Sequence, residues 1–225
     1  MKSLAGVLAL SASATLLGAC GAPSSATSTP SPSAPASTPE APSAALLAKL
    51  APQNARTLSN PASPKATLVL FTDYQCPYCA KMDALMTRAV KEYGSQVKIV
   101  VRNFPLPMHQ NAPLAAKAVE AAAEQGAQAR MADALFTHQS EWAKSASGQA
   151  EAFTSYARTL GLDMERFTKD FTSAAVAQRV QRDLDDATEL GLRGTPTLVL
   201  DGRLLEVDSS SYDTLKLPLD SVLKS

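Results

Sequence analysis

Several residue types are scarce in this chain of 225 residues, which has three cysteines, two histidines and one tryptophan. Cys20, Cys76 and Cys79 are too few for the disulfide framework of a small secreted scaffold. Neither sign of charge dominates, because 21 lysines and arginines balance 21 aspartates and glutamates. The composition therefore predicts no nucleic-acid partner, and the length allows one large domain with an apolar core.

The first residues have the features of an export signal. Lys2 precedes an apolar run over residues 4–17 that is too short to span a bilayer as a mature helix. The run ends in Leu17-Gly18-Ala19-Cys20, which resembles the lipobox of bacterial lipoproteins. The resemblance implies cleavage after a signal peptide of residues 1–19 and lipid attachment to Cys20. A buried helix of the domain is the alternative interpretation.

Residues 20–45 predict a tether. From Gly21 to Ala45, every residue except Gly21 and Glu40 is Ala, Ser, Thr or Pro. Such a segment has almost no large apolar side chains to offset the entropy cost of ordering. We expect a spacer between a membrane anchor and a folded domain over residues 46–225. A linker without a selected length fits the same composition.

The folded part begins with a strand, a helix and a second strand around the cysteine pair. The apolar run 66–71 predicts a buried strand, and the apolar spacing after Cys79 predicts an amphipathic helix that ends at Gly94. A second strand is expected over 97–104, closed by Pro105. With a right-handed crossover these elements form a βαβ unit.

Helical patterns fill the interval from about residue 108 to 190, which we interpret as an inserted all-helical subdomain. Within it, Asp163 is expected to cap a helix that contains Met164, Phe167 and Phe171. The strand pattern returns at 197–200, and Asp201-Gly202 is typical of a two-residue hairpin turn. A return strand is expected over 203–207 and a short closing helix over 219–223. The predicted fold class is α/β.

Cys76 and Cys79 form a Cys-x-x-Cys pair at the predicted junction of strand and helix. The first helical turn carries unpaired N–H groups and the positive end of the helix dipole, which favour a thiolate. Pro77 suits this turn because its missing N–H would have no partner there. A redox pair is favoured over half of a zinc site, since His109 and His138 lack zinc-finger spacing. We expect no metal, and structural roles for both histidines.

Two motifs resemble the thioredoxin-like superfamily. Cys76-Pro77-Tyr78-Cys79 follows a strand, and Gly194-Thr195-Pro196-Thr197 precedes a hairpin strand. The helical block between them makes the chain similar to the DsbA family of exported disulfide oxidoreductases, whose fold is thioredoxin-like with an inserted all-helical subdomain. Further family-like stretches are Asn103-Phe104-Pro105-Leu106 with His109 and Ala112, and Ala134-Leu135-Phe136 with Gln139.

The resemblance implies that Cys76 and Cys79 are catalytic and form a redox-active disulfide that needs no other cofactor, with Pro77-Tyr78 completing the motif. It implies that Pro196 is cis and, with Thr195, binds the backbone of a substrate peptide as an added strand. An ordinary trans proline is the alternative. The implied partners are unfolded or cysteine-containing exported proteins, a membrane redox partner and, through the lipid anchor, the membrane. The protein would face the periplasm or the cell exterior.

Three positions leave the direction of the chemistry open. Strongly oxidising members of the family have histidine where this chain has Tyr78, and thioredoxins have a buried acid where it has Leu70. Thr195 resembles the residue of isomerase relatives.

Asp73 is either a proton relay for the cysteines or a turn residue that binds its own backbone. An oxidant is the leading hypothesis. A reductase or isomerase, and a non-enzymatic peptide-binding or chaperone module, are the alternatives.

Overall fold

The computed structural model describes residues 42–146 and 148–224. The predicted signal peptide, Cys20 and most of the predicted tether lie outside these residues. Helix α1 (Ala44–Leu50) begins inside the segment predicted as tether. It starts there because the Ser43 hydroxyl accepts a hydrogen bond from the Leu46 N–H and caps the helix.

A five-stranded mixed sheet forms the centre of the fold. The strands are β1 (Arg56–Ser59), β2 (Ala66–Thr72), β3 (Val97–Asn103), β4 (Thr197–Leu200) and β5 (Arg203–Leu205). Their order across the sheet is β1-β3-β2-β4-β5. Strands β2 and β3 are parallel and the other neighbours are antiparallel. Helix α2 (Pro77–Tyr93) makes the crossover between β2 and β3, so the predicted βαβ unit is confirmed.

The sheet differs from the sequence prediction at its two edges. Strand β1 was not predicted, because Arg56–Ser59 has a single large apolar side chain and its conformation depends on pairing with β3. The return strand β5 ends at Leu205 rather than at residue 207. The predicted turn at Asp201-Gly202 is confirmed, since both residues have positive φ, 46° and 80°.

The interval between β3 and β4 is helical, which confirms the predicted insertion. Its helices are α3 (Ala112–Ala123), α4 (Gln128–Thr137), α5 (Gln139–Trp142), α6 (Ala150–Thr159), α7 (Met164–Phe171) and α8 (Ala174–Glu189). Trp142 and Phe153 meet edge to face with centroids 5.0 Å apart in the middle of their core. Asp163 caps α7 as predicted by accepting the N–H of Arg166.

The closing helix α9 (Asp213–Lys224) is longer than the predicted segment 219–223. Pro218 lies inside it, and a proline there argues against a helix when the sequence is considered alone. The helix continues through the proline because Leu215 and Leu219 are fully buried against the α2 side of the sheet. Tertiary burial therefore outweighs the local signal.

A buried polar network connects the helical insertion to the sheet. The Arg102 side chain, only 1% exposed, donates to Asp183 at 2.6 Å and to the Lys49 carbonyl at 2.7 Å. The Asn103 amide donates to Glu120 at 2.7 Å, and Glu120 pairs with Arg56 at 2.8 Å. Each buried charge in this network has a partner of opposite sign, which limits the cost of removing it from water.

Candidate active site

Cys76 is the N-cap residue of α2, with extended backbone angles, and Pro77 is the first helical residue. Strand β2 ends at Thr72, and the following turn closes when the Cys76 N–H donates to the Asp73 carbonyl at 3.1 Å. The prediction that Cys76 lies where a strand gives way to a helix is confirmed. This placement directs the N–H groups of the first helical turn toward its sulfur.

The two cysteines are free thiols with opposite acidities. Hydrogen bonding from the Cys79 thiol lowers the pKa of Cys76 to about 5 despite the opposing effect of burial. The N–H groups of Cys79 and Tyr78 and the Thr195 side chain act in the same direction on this pKa. Burial, followed by the contact with Cys76, raises the pKa of Cys79 well above its ordinary value. At neutral pH Cys76 is therefore the thiolate and Cys79 the thiol.

The loop before β4 lies against the cysteines. The Thr195-Pro196 peptide bond is cis, as the resemblance implied. The Cys76 sulfur lies 3.5 Å from the Thr195 carbonyl oxygen. The Thr195 hydroxyl is buried without a hydrogen-bond partner of its own, yet its effect on the pKa of each cysteine favours a thiolate. The structure thus brings together the two motifs that are more than a hundred residues apart in the chain.

Asp73 organises the turn rather than contacting a sulfur through its carboxylate. One oxygen accepts the Gln75 N–H at 2.7 Å, and the other accepts the Leu106 N–H at 2.8 Å and lies 2.7 Å from His109 Nδ1. Its backbone N–H, not its side chain, lies 3.5 Å from the Cys79 sulfur. These contacts match the turn interpretation of Asp73 and the structural role expected for His109.

Two side chains beside the site are exposed. Tyr78, within the Cys-x-x-Cys motif, is 60% exposed. Met108, in the loop that His109 ties to Asp73, is 74% exposed. Sequence reasoning placed Tyr78 in the motif and did not single out Met108. Its position directly before His109 was the one available signal.

The helical insertion holds the active-site turn through amide side chains. Gln139 donates to the carbonyl oxygens of Tyr74 at 2.9 Å and Cys76 at 3.1 Å. Gln75 donates to the Ala143 carbonyl at 2.6 Å and accepts the Asn111 N–H at 2.7 Å. Sequence reasoning cited Gln139 as part of a family-like stretch but assigned no contact to Gln75. No local periodicity identifies contacts between residues this far apart.

A cavity of about 780 Å³ adjoins the buried side of Cys79, between the sheet, α2 and α4. Leu70, Tyr74 and Asp83 contribute to its lining. Burial, reinforced by the Asp133 carboxylate, raises the pKa of Asp83 to about 6. Sequence reasoning noted that Leu70 replaces the buried acid of thioredoxins and considered Asp73 as a proton relay, but it did not consider Asp83.

Residues 54–221 match a protein-family model described as Thioredoxin. The chain belongs to the thioredoxin family. Within the described residues of this thioredoxin-family protein, no group of three or more His, Cys, Asp or Glu side chains is arranged to hold a metal ion. None of the described helices is both long and apolar enough to cross a bilayer.

Solved structures share the fold with this thioredoxin-family chain. A thioredoxin-like oxidoreductase from Silicibacter pomeroyi DSS-3 is 28% identical, with a TM-score of 0.62 over 79% of this chain and 98% of that one. The thiol-disulfide exchange protein alpha-DsbA2 from Wolbachia pipientis superposes with a TM-score of 0.67 at 18% identity, over 79% of this chain and 92% of the other. The predicted fold class is confirmed, and so is the resemblance to DsbA-like proteins in fold: the chain shares with these structures a thioredoxin-like fold that carries a helical insertion.

The chain also matches part of much longer proteins. It is 38% identical over 156 residues to a protein named Na(+)/H(+) antiporter NhaA of Herminiimonas arsenicoxydans. These residues make up 69% of this chain and 23% of that protein. A protein named Na(+)/H(+) antiporter NhaA 3 of Salinispora tropica is 36% identical over 144 residues, 64% of this chain and 21% of that protein. The chain thus spans about a fifth to a quarter of the length of these curated relatives.

Proposed function

We propose that the protein is an exported thiol–disulfide oxidoreductase that transfers its Cys76-Cys79 disulfide to substrate proteins and acts as an oxidant. The observation that carries this proposal is the low pKa of Cys76, about 5, at the N-cap of α2. A thiol of low pKa is a good leaving group, and its stable thiolate favours the reduced enzyme. Both properties make the disulfide form an oxidant.

The reaction proceeds through a mixed disulfide. A substrate thiolate attacks the Cys76 sulfur, the bond to Cys79 breaks, and the electron pair leaves on Cys79. A second substrate thiolate then attacks the substrate sulfur of the mixed disulfide and expels Cys76 as a thiolate. The substrate gains one disulfide and the enzyme becomes a dithiol. Cys79 is the more buried of the two sulfurs, 1% exposed against 4% for Cys76, which fits a resolving cysteine rather than the cysteine that the substrate attacks.

Thr195 and Pro196 serve as the substrate-binding loop in this proposal. The Thr195 carbonyl is within 3.5 Å of the Cys76 sulfur, so a peptide paired with this backbone would have its cysteine beside the reacting atom. Backbone pairing requires an extended substrate and imposes little preference for its sequence. Unfolded or cysteine-containing exported proteins have these properties, and no nucleic-acid role is proposed.

The location is proposed from the N-terminal sequence. Residues 1–19 would direct export, Cys20 would carry lipid, and residues 20–45 would hold the domain over residues 46–225 away from the membrane. That parts of membrane antiporters match this domain supports a place beside a membrane, where a membrane redox partner could renew the disulfide. Replacing Cys20 with Ser should move the protein from the membrane fraction to the soluble fraction. Retention in the membrane would contradict lipid anchoring.

A reductase or isomerase using the same cysteines is the second candidate, and the observation that favours it is Thr195 beside the sulfur, the residue type of isomerase relatives. The reduction potential of the Cys76-Cys79 pair, measured against glutathione, separates the two. A value of about −120 mV supports an oxidant, and one of about −270 mV supports a reductase.

Exchange with a thiol-containing peptide tests the enzymatic proposal as a whole. Cys76→Ala should abolish exchange. If the wild-type protein also performs no exchange but both proteins hold an unfolded client in solution, the protein is a peptide-binding or chaperone module instead.

A further inference from the structure

The cavity of about 780 Å³ lies beside Cys79. Of the two described cysteines, Cys79 lines this cavity and Cys76 does not. Cys76 instead contacts the Thr195 carbonyl. The two sulfurs therefore have different surroundings, and the cavity adjoins the resolving cysteine, Cys79.

Asp83 is the carboxylate that shares this cavity with Cys79 on the same helix. Cys79, Asp83 and Thr87 occur at intervals of four residues along α2, and all three line the cavity. Side chains at this spacing lie on one helix face with Cβ atoms about 5–6 Å apart. The cavity has room for a water between the polar groups of Cys79 and Asp83, since one water occupies about 30 Å³.

Asp83 also adjoins a second space. A smaller cavity of about 410 Å³ is lined by Asp83 together with Asp133, Thr87 and Thr137. This cavity lies between α2 and α4 and does not include Cys79 among its lining residues. Asp83 thus stands between the space that holds the resolving sulfur and the outer side of the α2–α4 contact.

We propose that Asp83 passes the proton that Cys79 gains and loses during disulfide exchange. The inference rests on the proposed function, because Cys79 changes its protonation only if the pair exchanges disulfides. When a substrate thiolate breaks the Cys76-Cys79 bond, Cys79 leaves as a thiolate and Asp83 donates a proton to it through water. Asp83 becomes a carboxylate and regains a proton from solvent. In the reverse direction, Asp83 starts as the carboxylate: when Cys79 attacks a mixed disulfide, its thiol gives its proton through water to Asp83, which then releases that proton to solvent.

The charges around Asp83 suit this role. Acid–base catalysis is most efficient when the pKa of the group lies near the working pH, and burial together with Asp133 raises the pKa of Asp83 to about 6. Arg56 in the cavity wall is paired with Glu120, and the charged group that raises the pKa of Asp83 is Asp133. The titratable or charged groups that line the cavity with Asp83 are Arg56, Tyr74, Cys79, Lys91, Arg130 and Asp133.

The reduction of a chromogenic disulfide has two steps, which test the contributions of Cys76 and Asp83 separately. Reduced protein attacks dithiobis(nitrobenzoate) through Cys76 and releases one thionitrobenzoate; Cys79 then resolves the mixed disulfide and releases a second. For the wild type, the rate of the second release should rise with pH through an inflection near the pKa of about 6 that belongs to Asp83. Asp83→Asn should lose that inflection and slow the second release roughly a hundredfold at pH 7, while the first release stays unchanged.

Matched variants keep the result specific. Asp83→Glu retains a carboxylate and should restore the inflection. Asp133→Asn retains Asp83 but removes the neighbouring charge that raises its pKa, so the inflection should move to lower pH rather than vanish. Because Asp83 itself is intact in this variant, it decides the question even if Asp83→Asn fails to fold.

Two outcomes would overturn the inference alone: a wild-type inflection that persists in Asp83→Asn, or one that does not move in Asp133→Asn. A wild type that releases neither thionitrobenzoate contradicts the proposed function itself. The failure of the inference and the failure of the function it rests on are therefore distinguishable.

Discussion

The Cys76 sulfur lies 3.5 Å from the carbonyl oxygen of Thr195, across the contact between the start of α2 and the loop before β4. This contact places the backbone of the cis-proline loop beside the more acidic thiol. The Thr195 hydroxyl, buried and without a hydrogen-bond partner, belongs to the same contact. The Cys76 thiolate, the Thr195 side chain that lowers its pKa and the proposed peptide-binding backbone therefore meet in one contact.

The first prediction concerns the Thr195 hydroxyl. In the wild type, alkylation of Cys76 should titrate with a midpoint near its pKa of about 5. Thr195→Val should raise the midpoint by roughly 0.5–1 pH unit. The otherwise unpartnered hydroxyl lowers the pKa of Cys76 by stabilising its thiolate, and such an interaction contributes about 0.5–1.5 kcal/mol, where one pH unit corresponds to about 1.4 kcal/mol. Thr188→Val, whose hydroxyl bonds within α8, is the control and should change nothing. A wild-type midpoint near the ordinary thiol value of about 8.5 would refute the thiolate assignment.

The second prediction concerns stability and pH. The pKa of Cys76 is lower in the folded reduced protein than in the unfolded chain, so its contribution to stability is full above the unfolded pKa of about 8.5 and is lost as the pH falls through about 5. The oxidised protein has no thiol at this position. The difference in unfolding temperature between the reduced and the oxidised form should therefore change in favour of the reduced form by roughly several degrees between pH 4 and pH 8. Reduced Cys76→Ser should lack this rise, and a constant difference between the two forms would contradict it.

The third prediction concerns Gln139. Its amide donates to the carbonyl oxygens of Tyr74 and Cys76, so Gln139→Ala removes two hydrogen bonds from the active-site turn. The free energy of unfolding should fall by about 1–3 kcal/mol in urea titrations. Gln181→Ala removes one exposed bond to Asp185 and should cost less than about 0.5 kcal/mol. Equal losses in both variants would show that the turn does not depend on Gln139.

The fourth prediction concerns the buried ion pair of Arg102 and Asp183. Arg102→Met leaves the Asp183 carboxylate buried without its partner and should lower the free energy of unfolding by about 3–5 kcal/mol. Adding Asp183→Asn removes the uncompensated charge and should recover part of that loss. Arg88→Met breaks an exposed pair with Glu92 and should cost about 0–1 kcal/mol. A loss below about 1 kcal/mol for Arg102→Met would contradict the network's role.

Local signals predicted those parts of the fold that local contacts determine. Asp201-Gly202 forms a hairpin turn because its positive φ angles are a property of those two residues. Asp163 caps α7 because the hydrogen bond to Arg166 spans only three residues. Strand β1 and the length of α9 escaped prediction because each depends on a distant partner, β3 in one case and the core around Leu215 in the other.

The candidate site divides in the same way. Cys76, Cys79 and Pro77 were recognisable because a Cys-x-x-Cys motif at a helix start is contiguous in the chain. Asp83 was not recognisable, because its proposed role depends on a cavity that α4 and the sheet line together with α2. The contacts that Gln75 and Gln139 make with carbonyl oxygens were equally hidden, because they join the cysteine turn to the inserted helices.

By itself the sequence determined that a thiol begins a helix and that a threonine-proline pair precedes a hairpin, since backbone geometry over a few residues is encoded locally. The predicted helix start already favoured a thiolate at Cys76, but only the tertiary structure decided how far the acidities of Cys76 and Cys79 differ. Burial and the mutual contact of Cys76 and Cys79 move their pKa values in opposite directions, and burial raises the pKa of Asp83 beside them. A pKa depends on the water and charges around a group, and those are set by residues far away in the chain.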